Sequence, residues 1–516
     1  MRLIKILRDR VQIRTDLSEF EDIRIGDLME IGDSDVKLAT IVTSMSDMDT
    51  AAPAEDEEDF LLSQSMTMLE CSIVGTLRDG IFEKSVSRYP TMSVEARRLE
   101  GHDLQLFTTA DLFHDFVIGE YAECGVLAAV NGNRFFQRHS CIVGNTGSGK
   151  SETVAKILEE VSSLPGANLI LFDIHGEYGH LSYVDNIKFG EEMDFPAWMF
   201  GLRDMAANIL KIKEESATVA MTALRKCYQV LCPDGNEGKP IYFDYGQLIS
   251  QMKLLNAEEV FTGEVYKTGD KAGMYKTVKG ELNGKLSGVI NTLESKLHDK
   301  RYDFLFMQHG PEYLYELAKR LLGGDKPVRN IDLSGIPHDI ALPIIGAVTK
   351  LVYELQKASG RKDRPLTLVC DEAHVYIPTS FQLSASERRL VEVFEDIAKE
   401  GRKFGVTLLV ASQRPSELNK TIMAQCANFI VMKLNNENDK AMIKGMLPDG
   451  SDSIIDETTM FAPGEAVIVG DAAQLPLKAK IALAQERPRS RTIDFWDEWA
   501  ERKQFDAEGA VDAYLQ

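Results

Sequence analysis

The chain has 516 residues, an apolar fraction of 44% and a formal net charge of −22, which predicts two or three globular domains. No apolar run approaches the roughly 18 residues of a membrane span, and the charged N-terminus is unlike a signal peptide, so we expect a cytoplasmic protein without a membrane contact. The acidity disfavours nucleic acid wrapped around the outside of the protein, but it does not exclude a nucleic acid held in a pore.

The first hundred residues are predicted to be rich in strands. Leu38 to Val42 and Met68 to Val74 are short apolar stretches, and Gly26-Asp27 and Gly32-Asp33 are typical of the turns between strands. A small β-barrel over residues 1–100 accounts for this pattern. Acidic residues crowd the segment 47–59, which we interpret as a solvated loop.

Residues 144–151 read GNTGSGKS and match the phosphate-binding pattern G-x-x-x-x-G-K-[ST]. An apolar strand precedes the motif at 139–143, and helical spacing follows it at 152–158, which places the loop before a helix N-terminus. Lys150 would bind the β- and γ-phosphates, and the hydroxyl of Ser151 would bind magnesium. The motif predicts a nucleotide site formed by Gly144, Asn145, Thr146, Gly147, Ser148, Gly149, Lys150, Ser151 and Glu152.

A second strand, 168–173, leads into the sequence Ile174-His175-Gly176-Glu177-Tyr178. Asp173, His175 and Glu177 would therefore reach the same edge of the sheet as Lys150. A supporting role in the site and a purely structural loop are both open. The alternation of strands and helices over 101–190 and 328–485 predicts an α/β core with a mainly parallel sheet.

Residues 191–327 interrupt that alternation and are predicted to form a helical insertion. Leu202 to Val230 and Thr277 to Leu297 have helical spacing without a clear buried strand. Between them, residues 262–279 carry four lysines and three glycines, which indicates a mobile basic loop. An ordinary solvated loop is the stronger interpretation of this segment than a DNA contact.

Two further strands end in polar residues suited to phosphoryl transfer. The strand 365–370 ends in Asp371 and Glu372, where Asp371 would orient magnesium and Glu372 would polarise the attacking water, although two acids can also cap a helix. The strand 406–411 is followed by Gln413, which would sense the γ-phosphate or hold the water. A polar residue that merely closes the strand is the alternative for Gln413.

The helix predicted from Ser386 to about Gly401 ends at Arg402. A cation at a helix C-terminus is favoured by the helix dipole alone, by about half a kcal/mol. Arg402 would otherwise reach the nucleotide of the next subunit in a ring, as an arginine finger does. After Arg487-Pro488-Arg489, residues 492–516 form an amphipathic helix candidate whose apolar side chains need a surface to pack on.

In this order, GNTGSGKS, DIHGEY, DEAH, EGRKFG and SQRP resemble the HerA family of the HerA–FtsK superfamily of ring ATPases. The resemblance covers roughly residues 100–485, and the strand-rich first hundred residues are similar to the family's N-terminal barrel. It implies a RecA-like P-loop core over 101–190 and 328–485, a helical insertion over 191–327 and a C-terminal brace over 486–516. The acidic charge, the acidic 47–59 segment and Ile174 in place of a frequent proline depart from an archaeal repair motor.

The resemblance implies a homohexameric, ATP-driven motor that moves double-stranded DNA through a central pore, with magnesium as cofactor. By position, Lys150, Glu372, Gln413 and Arg402 are the expected catalytic residues, Ser151 and Asp371 the expected metal residues, and Arg138 an expected nucleotide contact across an interface. A nuclease or a sirtuin-like effector is the implied partner, in DNA end processing or anti-phage defence. The alternative is a ring scaffold that gates an effector and uses ATP hydrolysis as a timer.

Overall fold

The computed structural model of the chain contains two large sheets and a set of helices around the second sheet. The structure describes residues 1–15, 23–33, 36–48, 66–78, 81–100, 103–104, 114–122, 125–212, 218–268, 270–379, 383–447, 452–473, 475–476, 478–490, 495–500 and 506–515. Most of the acidic 47–59 segment lies outside the described residues.

The first sheet is a small closed barrel. Its strands are β1 (Arg2–Ile6), β2 (Arg10–Thr15), β3 (Leu28–Gly32), β4 (Lys37–Met48), β5 (Met66–Arg78), β6 (Ile81–Glu83) and β7 (Glu95–Arg98). They are ordered β2-β1-β7-β3-β4-β5, and the pairing of β2 with β5 closes the barrel, with β6 added beside β5. Alternate side chains of β2 point inward, as in a half-buried strand. The predicted N-terminal barrel is confirmed.

Glu30 ties three strands of the barrel together. Its side chain is largely buried, and it accepts hydrogen bonds from Lys37 Nζ at 3.0 Å and Arg97 Nε at 3.1 Å. Burial raises the pKa of Glu30, but Arg97 and Lys37 outweigh it, so the pKa lies below the ordinary value. The carboxylate therefore stabilises the barrel above the pKa of an unfolded glutamate and ceases to do so as the pH falls through the native pKa.

Glu30→Gln is expected to lower the local stability of the barrel by about 1–2 kcal/mol. The loss is moderate because Lys37 and Arg97 stay partly hydrated when the carboxylate charge is removed. Hydrogen exchange of peptides from β3 and β4 measures this change, and the difference from wild type should shrink below about pH 4. Glu95→Gln, an exposed change on the same strand as Arg97, is the control. Equal exchange rates in wild type and Glu30→Gln at neutral pH would contradict the prediction.

The second sheet has eleven strands in the order β12-β15-β11-β16-β17-β10-β18-β19-β20-β8-β9. The pairings from β12 to β18 are parallel and the remaining ones are antiparallel. The strands are β8 (Asp115–Tyr121), β9 (Leu127–Asn131), β10 (His139–Val143), β11 (Leu169–Asp173), β12 (Val184–Lys188), β15 (Val328–Asp332), β16 (Leu366–Cys370), β17 (Val406–Ser412), β18 (Cys426–Val431), β19 (Glu465–Gly470) and β20 (Lys478–Ile481).

Helices cover both faces of this sheet, which explains why central strands such as β10, β16 and β17 are buried along their whole length. The α-helices are α1 (Gly132–Gln137), α2 (Lys150–Ser162), α3 (Gly201–Asn208), α4 (Thr218–Leu231), α5 (Tyr245–Asn256), α6 (Ser287–Leu297), α7 (Asp303–Phe306), α8 (Tyr313–Gly323), α9 (His338–Ser359), α10 (Ala385–Glu400), α11 (Lys420–Met423), α12 (Glu437–Lys444), α13 (Asp452–Glu457), α14 (Phe495–Ala500) and α15 (Ala507–Leu515). The predicted α/β fold with a mainly parallel sheet is confirmed.

The segment between α5 and α6 differs from the prediction. Residues 259–279 contain an antiparallel hairpin of β13 (Glu259–Val265) and β14 (Tyr275–Lys279), so Thr277 begins no helix and about half of the expected basic loop is strand. Every side chain of β13 is exposed, so the hairpin lacks the buried alternation that reveals strands in a sequence. Lys276 pairs with Glu264 at 2.9 Å, which reduces the positive charge that this segment presents.

The C-terminal segment also differs, since the expected single helix is two short ones, α14 and α15. Phe495, Trp496 and Trp499 of α14 are largely exposed. Among the described residues, no helix combines the length and the apolar composition needed to cross a membrane.

Candidate nucleotide site

The glycines of the 144–151 loop are required by its geometry. A Cβ on Gly144 would lie 2.6 Å from the Ser148 hydroxyl, and Gly147 and Gly149 have φ values of 75° and 104°, which only glycine adopts readily. Gly464 donates a hydrogen bond from its N–H to the Ser148 carbonyl at 2.8 Å and so fixes the loop to the neighbouring turn. The loop runs from β10 directly into α2, as the sequence predicts, and its N–H groups lie at a helix N-terminus.

Lys150 and Glu372 face each other inside the site. The side chain of Lys150 is 7% exposed, and its Nζ lies 3.8 Å from Oε1 of Glu372. Glu372 has φ 46° and ψ 42°, a left-handed conformation that is strained for a residue with a Cβ and is typical of functional positions. Its Oε2 is buried without a hydrogen-bond partner and lies 3.3 Å from His374 Nδ1. Burial lowers the pKa of His374, which favours a neutral imidazole.

Asp371 is deeper in the site than Glu372. It is 4% exposed, and Oδ2 of its carboxylate accepts a hydrogen bond from the Tyr178 hydroxyl at 3.0 Å. Burial, followed by the charges of Glu372 and Glu177, raises the pKa of Asp371 to about 7. A nearby cation would stabilise the ionised form of this buried carboxylate. Such an environment is expected beside a metal ion.

Asp173 holds the loop that contains Glu177 and Tyr178. Its carboxylate is fully buried and accepts hydrogen bonds from the backbone N–H groups of Gly176, Glu177 and Tyr178 at 2.8–3.1 Å. Since β11 pairs with β16 in parallel, Phe172 is opposite Cys370 and both strands deliver their acids to one edge. Asp173 therefore stabilises the backbone of the loop, whereas the side chain of His175 is exposed at the surface.

Gln413 lies against the phosphate loop. Its Oε1 accepts a hydrogen bond from the Thr146 hydroxyl, and it follows β17, the strand next to β10. The structure thus brings Lys150, Asp371, Glu372 and Gln413 to the carboxyl edge of the sheet, where open α/β sheets bind ligands.

Arg138 and Arg402 lie at the opposite edge. Arg138 immediately precedes β10, and Arg402 occupies a 3-10 turn, Gly401–Phe404, just before β17. β10 has five residues and β17 has seven, so they span roughly 17 and 23 Å, and both arginines lie at the edge of the sheet away from the phosphate loop. Arg138 pairs with Asp471, while Arg402 is exposed and makes no ion pair within the described part of the chain.

One contact at the site has no signal in the sequence. Arg487 Nη2 lies 2.7 Å from Oε1 of Glu152, the residue after Ser151, although the two are 335 positions apart. The N–H of Arg489 donates to the Glu177 carbonyl at 2.9 Å. The segment that leads to α14 therefore touches both α2 and the Glu177 loop.

The residues present fit a magnesium-bound nucleotide. Unpartnered buried oxygens of Glu177 and Glu372 lie beside the glycine cradle and the Lys150 ammonium. In the described ranges, no three His, Cys, Asp or Glu side chains are close enough to hold a metal alone. Magnesium in such sites binds to phosphates and a few protein oxygens and keeps several waters, which agrees with this spacing.

A strand, a glycine-rich loop, a helix N-terminus and an acidic pair after another strand of the same sheet define a P-loop ATPase. The family model described as "Helicase HerA, central domain" matches residues 116–352. The DNA double-strand break repair helicase HerA of Sulfurisphaera tokodaii is 29% identical over 71% of this chain and 69% of its own length, and that of Saccharolobus solfataricus is 27% identical over 80% and 76%.

The chain is thus similar to HerA helicases, over residues 116–352 by the family model and over most of the length of these relatives. Among solved structures, a bacterial conjugative coupling protein is similar, with a TM-score of 0.46 and 15% identity over 76% of this chain and 94% of that one.

Proposed function

We propose that the chain is the subunit of a homohexameric motor that hydrolyses ATP to move double-stranded DNA through a central pore. The observation that carries the proposal is the position of Lys150, Asp371, Glu372 and Gln413 around one phosphate loop. The relatives are DNA double-strand break repair helicases, which supports DNA as the substrate of the motor.

In this proposal the bound nucleotide lies on the glycine loop, and Lys150 holds its β- and γ-phosphates. Magnesium, held by Ser151 and oriented by Asp371, would neutralise charge on the phosphates. Glu372 accepts the proton of the attacking water, and Gln413 with Thr146 keeps that water or the γ-phosphate in line. His374 lies 3.3 Å from Glu372 and favours one orientation of its carboxylate.

We also propose an effector partner, a nuclease or a sirtuin-like protein, in DNA end processing or anti-phage defence. The repair names of the relatives support a role at broken DNA ends. Loss of effector activity in Lys150→Ala and in Glu372→Gln would show that the effector depends on ATP hydrolysis by the motor. Effector activity that survives in both variants, but is lost when the ring does not assemble, would identify a scaffold instead.

Double-stranded DNA is expected to accelerate ATP hydrolysis, and Lys150→Ala to lower the rate at least about 100-fold, because it removes the cation that stabilises the transferring phosphate. Phosphate release measures hydrolysis, and displacement of a triplex-forming strand from duplex DNA measures translocation. Lys319→Ala, an exposed lysine on α8, is the matched control. Hydrolysis that is unaffected by duplex DNA, with no strand displacement, would contradict the motor.

A further inference from the structure

The loop after β11 has two side chains at the nucleotide site that the proposed mechanism leaves unused. Glu177 is partly buried, and its Oε2 has no hydrogen-bond partner. Tyr178 is fully buried, and its hydroxyl donates to Asp371. Both side chains lie near the Ser151 hydroxyl. The loop therefore contacts Asp371 and lies near Ser151, the two residues that the sequence assigns to the metal.

The backbone of the loop is held from both sides, which gives these side chains fixed positions. The Asp173 carboxylate binds three successive N–H groups on one side, and Asn330 Nδ2 donates to Asp173 at 3.1 Å behind it. On the other side, the Glu177 carbonyl accepts the N–H of Arg489. These hydrogen bonds fix the backbone positions from which Glu177 and Tyr178 extend.

The environment of Glu177 favours a cation. A buried carboxylate oxygen without a donor costs free energy unless a ligand satisfies it. Among the described residues, no three acidic side chains are close enough to bind a metal ion directly. Magnesium at a nucleotide site keeps several waters, so Oε2 of Glu177 is suited to accept hydrogen bonds from the waters of an ion held by Ser151 and phosphates.

We propose that Glu177 is a further residue of the magnesium–nucleotide site, where it accepts hydrogen bonds from waters on the ion, and that Tyr178 positions Asp371 for the same ion. This assignment rests on the proposed function, since it concerns the magnesium that the function requires. Glu177 and Asp371 follow two adjacent strands, β11 and β16, and the Tyr178 hydroxyl connects the loop of Glu177 to Asp371.

The test is a titration of Mn²⁺ into the full-length protein with ATPγS bound, followed by electron paramagnetic resonance of free Mn²⁺. Glu177→Gln and Tyr178→Phe are each expected to weaken Mn²⁺ binding about 10- to 100-fold, as loss of outer-shell partners does at metal sites. Affinity for a fluorescent ATP analogue in EDTA should stay within about twofold of wild type. Glu177→Asp, which keeps the charge, should recover part of the loss.

Glu191→Gln is the matched control, since Glu191 is exposed and pairs only with Lys188 among the described residues. Wild-type Mn²⁺ affinity in Glu177→Gln and Tyr178→Phe would overturn the assignment and leave the motor intact. Loss of metal-free nucleotide affinity in both variants would overturn it too, because the loop would then only support the fold. If the nucleotide affinity of the wild-type protein does not depend on Mn²⁺, both this assignment and the magnesium-dependent function are overturned.

Discussion

Glu372→Gln is expected to lower ATP hydrolysis by about 10²- to 10⁴-fold while ATP binding is retained. Gln has the shape of Glu but accepts no proton from the attacking water at neutral pH. The charge removed lies 3.8 Å from Lys150, so the ammonium becomes more available to the phosphates, and affinity should be unchanged or tighter. The variant ring is therefore expected to hold ATP without turning it over.

Two measurements separate these effects: phosphate release with duplex DNA present, and equilibrium binding of a fluorescent ATP analogue. Glu354→Gln is the matched control, because Glu354 is an exposed acid of α9 that pairs with Lys357. Hydrolysis within about twofold of wild type would contradict the role of Glu372. Equal loss of hydrolysis and of nucleotide binding would point to a disturbed fold, since the strained backbone at Glu372 makes this position sensitive.

The parts of the site that could be predicted are those that lie on buried strands of the parallel sheet. The run Leu366 to Cys370 is buried throughout and apolar except for Thr367, because both faces of its sheet are covered, and the acids that follow it mark the carboxyl edge. Asp371 and Gln413 follow strands of this kind, so their convergence with Lys150 needed only the strand order. The roles of these residues stay predictions until the variants are measured.

The parts that could not be predicted depend on tertiary contacts without a local pattern. The left-handed backbone of Glu372 has no signature in DEAH, since non-glycine residues adopt it only where surrounding contacts impose it. The contact of Arg487 with Glu152 joins residues 335 positions apart. The exposed hairpin at 259–279 was missed because neither strand buries an alternating face.

The position of Arg402 favours a role between subunits over the helix-dipole explanation. It lies before β17, about one strand length from the carboxyl edge where its own Lys150 is located. A Cβ on Gly401 would lie 2.5 Å from the Val406 carbonyl, and Gly405 has a φ of 72°, so glycines on both sides fix the turn that presents Arg402. A rigid turn whose exposed arginine makes no ion pair with the described residues is suited to the surface of a neighbouring subunit.

Arg402→Ala rings are expected to hydrolyse ATP about 10³- to 10⁵-fold more slowly than wild type, the range for loss of an arginine finger, with ring assembly unchanged. Lys403→Ala, its exposed neighbour in the same turn, is the control and should retain activity. Phosphate release by rings verified by light scattering measures the effect. Full activity of assembled Arg402→Ala rings would leave only the helix-dipole explanation.

Mixing Arg402→Ala subunits with Lys150→Ala subunits decides whether the arginine acts in trans. In a head-to-tail ring, each interface combines the phosphate loop of one subunit with Arg402 of the next. Random mixing in equal amounts gives about a quarter of the interfaces an intact loop and an intact arginine, so hydrolysis should return although each variant alone is inactive. Recovery cannot occur if Arg402 serves its own subunit, because every subunit in the mixture then lacks one of the two groups.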